Sequence, residues 1–441
     1  MAEEGFVPAP AVPGQQPITG APARTARLDS TFRAFRNPNY RLYYFSQMAS
    51  LSGTWMQTIA QAWLVLQITN SKVQLGTVTL LQFLPITIYV LFAGVIADRV
   101  PKRPFILSTQ VLAMTQAVIL TVLVWSGHVQ LWHIYVLAFM LGLVNAFEQP
   151  TRQAFVVELV GKPDVGNAIA LNSGMFNAAR LIGPGIGGLI IGAFGVKVAF
   201  MLNAISFLPI IGALALMDAS KLYTTARARS DRGNPIAELR EGLAYAFRTP
   251  AALLIIIMLV FVGTFGFNFT VMLPLVDRYI LNRGPGSLGL LTGALGLGAV
   301  ISALLLAGRE AATKRTLFIG GAAFSVLIGA VAVSHWFWLT LLMLLLAGVF
   351  STAFQATANT SMQLTAPDHL RGRVMSLYML LFAGSTPVGA FLTGYMAQHL
   401  GTDVAIGICA TLSGVGVALG FTYYASHREK IPEVAGEALP A

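Results

Sequence analysis

Stretches free of Asp, Glu, Lys and Arg recur along the chain: 42–71, 73–97, 104–147, 198–217, 249–276, 284–308, 316–367, 374–402 and 404–427. A helix crossing a bilayer needs about 20 mainly apolar residues. Two of these windows hold two spans each, with breaks at Ser126-Gly127-His128 and near Ser334-His335. A further window, 165–196, is interrupted only by Arg180. The pattern predicts an all-α membrane protein with twelve transmembrane helices.

The polar segments between windows orient the spans. The short loops 98–103, 218–248, 309–315 and 368–373 are rich in Arg and Lys, as are Arg24 to Arg41 and the chain end at Arg428 and Lys430. The opposite loops carry only Lys72, Lys197, Arg278 and Arg283. The positive-inside rule then places both termini in the cytoplasm. Composition adds that 56% of the 441 residues are hydrophobic and 10% charged, with mean hydropathy +0.70. Soluble domains carry about 25% charge, so soluble, collagen-like and disordered classes are excluded. The net charge of +10 would suit nucleic acid, but the basic loops account for it without one. The lone Cys409 excludes a disulfide framework and a Cys-based metal site.

Residues 1–30 are rich in Pro, Ala and Gly and lack the basic and apolar regions of a signal peptide. They read as a disordered cytoplasmic tail, and 428–441 as a second one. Ser30 to Arg41 read as a short interfacial helix, capped by Ser30 and broken at Asn37-Pro38.

The longest basic loop, 218–248, divides the spans six and six, with bundles over 31–217 and 249–427. The halves echo each other. Asn145-Ala146-Phe147-Glu148 in span 4 parallels Thr352-Ala353-Phe354-Gln355 in span 10. Pro163-Asp164 parallels Pro367-Asp368, and Gly183-Pro184 parallels Thr386-Pro387. Asp98-Arg99 with Lys102-Arg103 parallels Arg309-Glu310 with Lys314-Arg315. Such duplication marks transporters whose two pseudo-symmetric bundles rock about a central site.

The loop Gly94-Val95-Ile96-Ala97-Asp98-Arg99-Val100-Pro101-Lys102-Arg103 resembles the signature G-x-x-x-D-R-x-G-[RK]-[RK] of the major facilitator superfamily, with Pro101 in place of a glycine. The resemblance implies a gating role for Gly94, Asp98, Arg99, Lys102 and Arg103, with the carboxylate set against the N-terminus of helix 11. Gly183-Pro184-Gly185-Ile186-Gly187-Gly188 fits G-x-G-x-x-G literally, but it lies inside an apolar span and not on a strand–turn–helix. It is similar to the G-P-x-x-G-G core of the helix 5 antiporter motif, with Ala179 where the full pattern has glycine. Gly183, Pro184, Gly187 and Gly188 are therefore expected to pack helix 5 closely on a neighbour. Phe35-Arg36-Asn37-Pro38-Asn39-Tyr40-Arg41-Leu42 and Gln149-Pro150-Thr151-Arg152-Gln153-Ala154-Phe155 resemble the enterobactin-exporter and macrolide-efflux branch, the transmembrane secretion effectors.

Charges inside spans are costly and usually functional. Glu148 and Arg152, four apart, share a helix face and can pair. They read either as a latch joined to Arg99 or Arg103, or as the site that takes and releases a coupling proton. Arg180 either attracts an anionic substrate or pairs with Glu148. The superfamily lines its cavity from helices 1, 4, 7 and 10. That implies Trp55, Gln57, Gln61, Trp63, Asn145, Phe265, Phe267, Asn268, Gln355 and Asn359 as lining. No Walker motif, H-E-x-x-H or nucleophile elbow occurs, so no enzyme, cofactor or metal site is expected.

The expected protein is a bacterial inner-membrane secondary transporter, monomeric, both termini cytoplasmic. Its partners would be the lipid bilayer, protons and a small-molecule substrate, exported by alternating access. A siderophore or an amphipathic drug-like molecule is the expected cargo. An importer or uniporter on the same fold, or a lipid translocase, are the alternatives.

Overall fold

The structure is a computed structural model and describes residues 32–223, 235–307, 313–367 and 370–433. The expected tail 1–30, with its cap Ser30, lies outside these, as do Arg309, Glu310, Asp368 and 434–441. Six long helices precede residue 218: α1 Pro38–Thr69, α2 Lys72–Arg99, α3 Lys102–Trp125, α4 Leu131–Val160, α5 Val165–Phe194 and α6 Val196–Leu216. Six follow residue 248: α7 over Pro250–Ile280, α8 Pro285–Ala307, α9 Lys314–Val333, α10 Phe337–Thr365, α11 Arg371–Leu400 and α12 Thr402–Ser426. Among the described residues no β-strand occurs.

The ten helices α3 to α12 are long and apolar enough to cross a membrane. α1 and α2, of 32 and 28 residues, take the places in their half that α7 and α8 take in the other. Large apolar side chains point outward around the molecule, Val326 70% and Leu208 54% exposed among them. In water such a surface would aggregate; in lipid it is the normal solvent contact.

Asn37-Pro38 ends the short 3-10 helix Arg33–Arg36, as expected, and also starts α1. Pro38 is the first residue of α1, where a missing N–H costs nothing, and the Asn37 side chain accepts from the amides of Asn39 and Tyr40. Asn37 Nδ2 also donates to Leu159 O at 2.5 Å, Asn39 Nδ2 to Asp218 O at 2.9 Å and Tyr40 Oη to Ala168 O at 3.0 Å. Arg33 pairs with Asp164 beside them. The lead-in segment thus ties α1 to the α4–α5 turn. Two further segments are more ordered than expected. Pro235–Arg248 in the central loop is a helix, and its Gly242 lies against Arg373 of α11. Residues 428–433 fold back on the start of α9, with Ile431 buried and Glu433 O accepting from Lys314 N at 3.0 Å.

The pseudo-symmetry is written in glycines. In α4, a Cβ on Gly142 would stand 2.1 Å from Gln82 O of α2; in α10, one on Gly348 would stand 2.0 Å from Leu295 O of α8. In α5, a Cβ on Gly183 would meet Ser52 O of α1 at 2.5 Å; in α11, one on Gly389 would meet Thr264 O of α7 at 1.8 Å. The single residues joining α5 to α6 and α11 to α12 are Gly195 and Gly401, with φ of +81° and +95°, which side chains resist. Each member of these three pairs is followed 206 residues later by its counterpart. Close helix approach through small residues replaces the hydrophobic drive that lipid removes. Gly348→Ala is expected to cost about 1–3 kcal/mol, since only backbone can yield at Leu295. A lowered melting temperature of the detergent-purified protein would show it.

Candidate functional site

The two halves meet along α2 with α11 and along α5 with α8. At the end far from the termini both pairs are in backbone contact. A Cβ on Gly76 would stand 2.8 Å from Ala390 O, and one on Gly394 2.6 Å from Lys72 O. A Cβ on Gly188 would stand 2.4 Å from the Cα of Gly289. Side chains clasp the same end. Lys72 Nζ donates to Ala397 O at 3.1 Å and lies 4.4 Å from the Tyr279 ring centre. Arg278 and Tyr279 both donate to Asn70 Oδ1, at 3.2 and 2.9 Å.

Toward the termini both pairs part. Along these seams the glycine contacts nearest the termini are Thr87 to Gly384 and Leu181 to Gly296. Beyond them Gly94, Gly166, Gly174 and Gly372 would meet nothing within 4 Å. The halves therefore form a cleft, closed at one end and open at the other.

A central cavity sits at the closed part of this cleft, about 870 Å³ with its open solvent included. Its polar lining comprises Arg180 and Asn177 of α5, Thr58 of α1, Thr292 of α8, Thr270 of α7, and Ser351, Thr352 and Gln355 of α10. Its apolar lining includes Trp55, Ile59, Phe269, Leu273, Leu288 and Leu295. The Arg180 guanidinium lies 5.7 Å from the Trp55 ring centre. Trp55 is itself held edge-on by Phe176 at 6.0 Å. Pro184 lines the cavity, while Gly183 and Gly187 press on α1 and Gly188 on α8.

Of the side chains expected to line the cavity, Trp55 and Gln355 do so. Gln57 is buried inside the first bundle, donating to Gln116 at 3.3 Å and accepting from Asn203 at 2.5 Å. Gln61 donates to Gln82 at 3.3 Å, and Trp63 lies under Arg278 in the far-end clasp at 5.7 Å. Phe267 packs on Phe324, Phe354 and Phe382, and Asn268 donates to Thr264 O at 2.6 Å. Asn359 accepts from Gln363 at 2.6 Å, and Asn145 is half-buried on α4 outside the lining.

Glu148 is 5% exposed and stands apart from the cavity lining. Gln110 Nε2 donates to its Oε1 at 2.9 Å, and Arg152 Nη1 lies 3.7 Å from the same oxygen. Ser50 Oγ donates to Gln110 at 3.3 Å, so α1, α3 and α4 share one polar chain. Tyr43 Oη and the Gln47 amide are buried on α1, without a partner among the described residues. Sequence reasoning missed Gln110, although Gln110 and Gln116 are polar residues inside span 3. It also missed Asp277, fully buried at the far end and accepting from Ser287 Oγ at 2.5 Å.

The basic loop residues bind their own bundle here. Lys102 Nζ lies 2.8 Å from Glu158 Oε1. Arg103 caps the C-terminus of α6, donating to Leu214 O at 2.7 Å and Ala215 O at 3.0 Å. Arg99 is exposed, and the side chain of Asp98 lies outside those described. Among the described residues no group of His, Cys, Asp and Glu could hold a metal ion.

The chain matches the family profile described as transmembrane secretion effector over residues 29–440. It is 25% identical to the staphyloferrin A transporter of Staphylococcus aureus, over 85% of this chain and 92% of that one. It is 27% identical to the multidrug efflux pump Tap of Mycolicibacterium fortuitum, over 85% and 93%. Its fold resembles a bacterial homologue of the human lysosomal transporter Spinster, solved inward-facing and unoccupied. The TM-score there is 0.68 at 12% identity, over 90% of this chain and 99% of that one.

Proposed function

The chain belongs to the transmembrane secretion effector family of major facilitator transporters, and on that basis we propose that it exports a siderophore or an amphipathic drug-like molecule in exchange for protons. The observation that carries this reading is the cleft, sealed at one end by Gly76, Gly394, Gly188 and Gly289 and open at the other past Gly94 and Gly174. With both termini in the cytoplasm, as the basic loops favour, the open end faces inward, where exported cargo loads. Rocking of the two bundles then exposes the cavity outward. One chain encloses the whole cavity, which suits a monomer in the bacterial cell membrane. The named relatives, a siderophore transporter and a multidrug efflux pump, favour export.

In this reading Asp98, Arg99, Lys102 and Arg103 gate the inner end. Closing it draws Lys102 and Arg103 from Glu158 and the α6 terminus toward α11. Glu148 carries the coupling proton. Arg152 and Gln110 hold its carboxylate, so a movement of α3 against α4 changes the contacts on which its proton depends. Dye accumulation tests this in cells lacking their own pumps, comparing wild type, Glu148→Gln and Asp98→Asn with and without a collapsed proton gradient. We expect wild type to hold accumulation low, and both gradient collapse and Glu148→Gln to raise it. If collapse matters and Glu148→Gln does not, the proton site lies elsewhere. If neither dyes nor iron chelators are kept out by wild type, export fails as a reading.

A further inference from the structure

The central cavity contains a cation without a counterion. Arg180 is the sole charged residue of its lining, and no Asp or Glu shares that lining. Glu148, the acid in its own half that could have neutralised it, is engaged by Arg152 at 3.7 Å and Gln110 at 2.9 Å. Among the described residues no hydrogen bond or ion pair engages the Arg180 guanidinium; its described contact is the Trp55 ring at 5.7 Å. A cation–aromatic contact uses the charge and leaves the N–H groups free to bind oxygens. An uncompensated cation at membrane depth is costly and marks a substrate pathway.

We propose that Arg180 receives an anionic group of the cargo, so that the transported class is an amphipathic organic anion. The carboxylate, or an oxyanion of similar geometry, sits on the guanidinium fork, and the apolar body lies against Phe269, Leu273 and Leu295. This deepens the export reading and rests on the central cavity being its transport site. Selectivity follows from the same charge. A cationic amphiphile meets like charge in a site of lowered dielectric and is rejected, whereas a neutral one gains only the apolar contacts.

The test uses the full-length purified protein and two probes on one scaffold, dansyl-phenylalanine and its uncharged amide. Dansyl fluorescence reports binding. Wild type is expected to bind the carboxylate about tenfold to a hundredfold tighter than the amide, the range of a charge-assisted hydrogen bond. Arg180→Gln should lose that preference and keep its affinity for the amide. Arg180→Lys, which retains the charge without the fork, should keep part of the preference and serves where the Gln variant folds poorly. Equal binding of both probes by wild type, or a preference that survives in Arg180→Gln, overturns the assignment and leaves the cavity reading intact. Binding of both probes that ignores a cavity-filling Ser351→Trp, or no binding of either, overturns the cavity reading and the assignment with it.

Discussion

Gly188→Leu is expected to abolish export while the protein still inserts and folds. A Cβ at Gly188 would stand 2.4 Å from the Cα of Gly289 and 2.7 Å from Pro285 O. Neither neighbour is a side chain that can swing away, so α5 and α8 must separate. Overpacking of this kind costs about 1–3 kcal/mol in ordinary cores, where side chains still yield. Here the cost falls on the far-end-closed state alone. A bias of about 3 kcal/mol shifts the balance of the two states by roughly a hundredfold toward the far-end-open form. Gly185 is the control, since a Cβ there would meet nothing within 4 Å. Gly185→Leu should transport normally from three residues away on the same helix. Cys409 is the chain's one cysteine and is buried. A Cys409→Ser background carrying Thr352→Cys therefore reports cavity access. A membrane-impermeant maleimide added outside should label Gly188→Leu faster than wild type. Normal transport by Gly188→Leu would show that the far-end glycine contact is not part of the cycle.

The span count was legible because lipid imposes a length and forbids unpaired charge, and both rules act on short windows of sequence. The duplication was legible for a different reason. Each half repeats its elements at nearly one spacing, although the sequence set Gly183 against Thr386 and the contact geometry sets it against Gly389, as it sets Gly142 against Gly348. The start of α1 was not legible. Asn37-Pro38 reads as a helix end, and its second use as the start of α1 rests on Leu159, a residue distant in sequence. The Pro235–Arg248 helix hid for a related reason, because charge density marks a loop while a helix against α11 needs only a few apolar residues on one face.

The cavity was legible as a place and not as a set of side chains. α1 carries two stripes at helical spacing: Trp55, Thr58, Ile59 and Ala62 face the cavity, while Gln57 and Gln61 face α3, α6 and α2. Polarity pointed to the glutamines. In a membrane bundle, however, buried amides also serve as glue between helices. No local signal separates the two uses, because the partners Gln116, Asn203 and Gln82 lie on other helices. Arg180 posed the opposite problem. The sequence left it between Glu148 and a substrate; in the structure Gln110 and Arg152 engage Glu148, and Arg180 lines the cavity.

Arg152→Ala is expected to destabilise the protein strongly and Glu148→Gln only mildly. Glu148 and Arg152 side chains are 7% and 11% exposed, so neither charge has water to fall back on. Removing one partner of a buried pair costs about 3–5 kcal/mol, because the other charge is left uncompensated. Gln110 would be the remaining described donor to the Glu148 carboxylate. Glu148→Gln removes the acid, but the new amide's carbonyl oxygen can still accept from the Arg152 guanidinium. The double variant Glu148→Gln with Arg152→Ala removes both charges and should recover most of the loss. A double-mutant cycle on the apparent melting temperature measures this coupling directly. Transport read on the same four proteins separates the two roles of Glu148. If it is a latch, transport follows stability, and the double variant recovers both. If it carries the proton, the double variant is stable and still exports nothing against a gradient. Additive effects of the two substitutions on the melting temperature would show that the 3.7 Å pair contributes nothing to the fold.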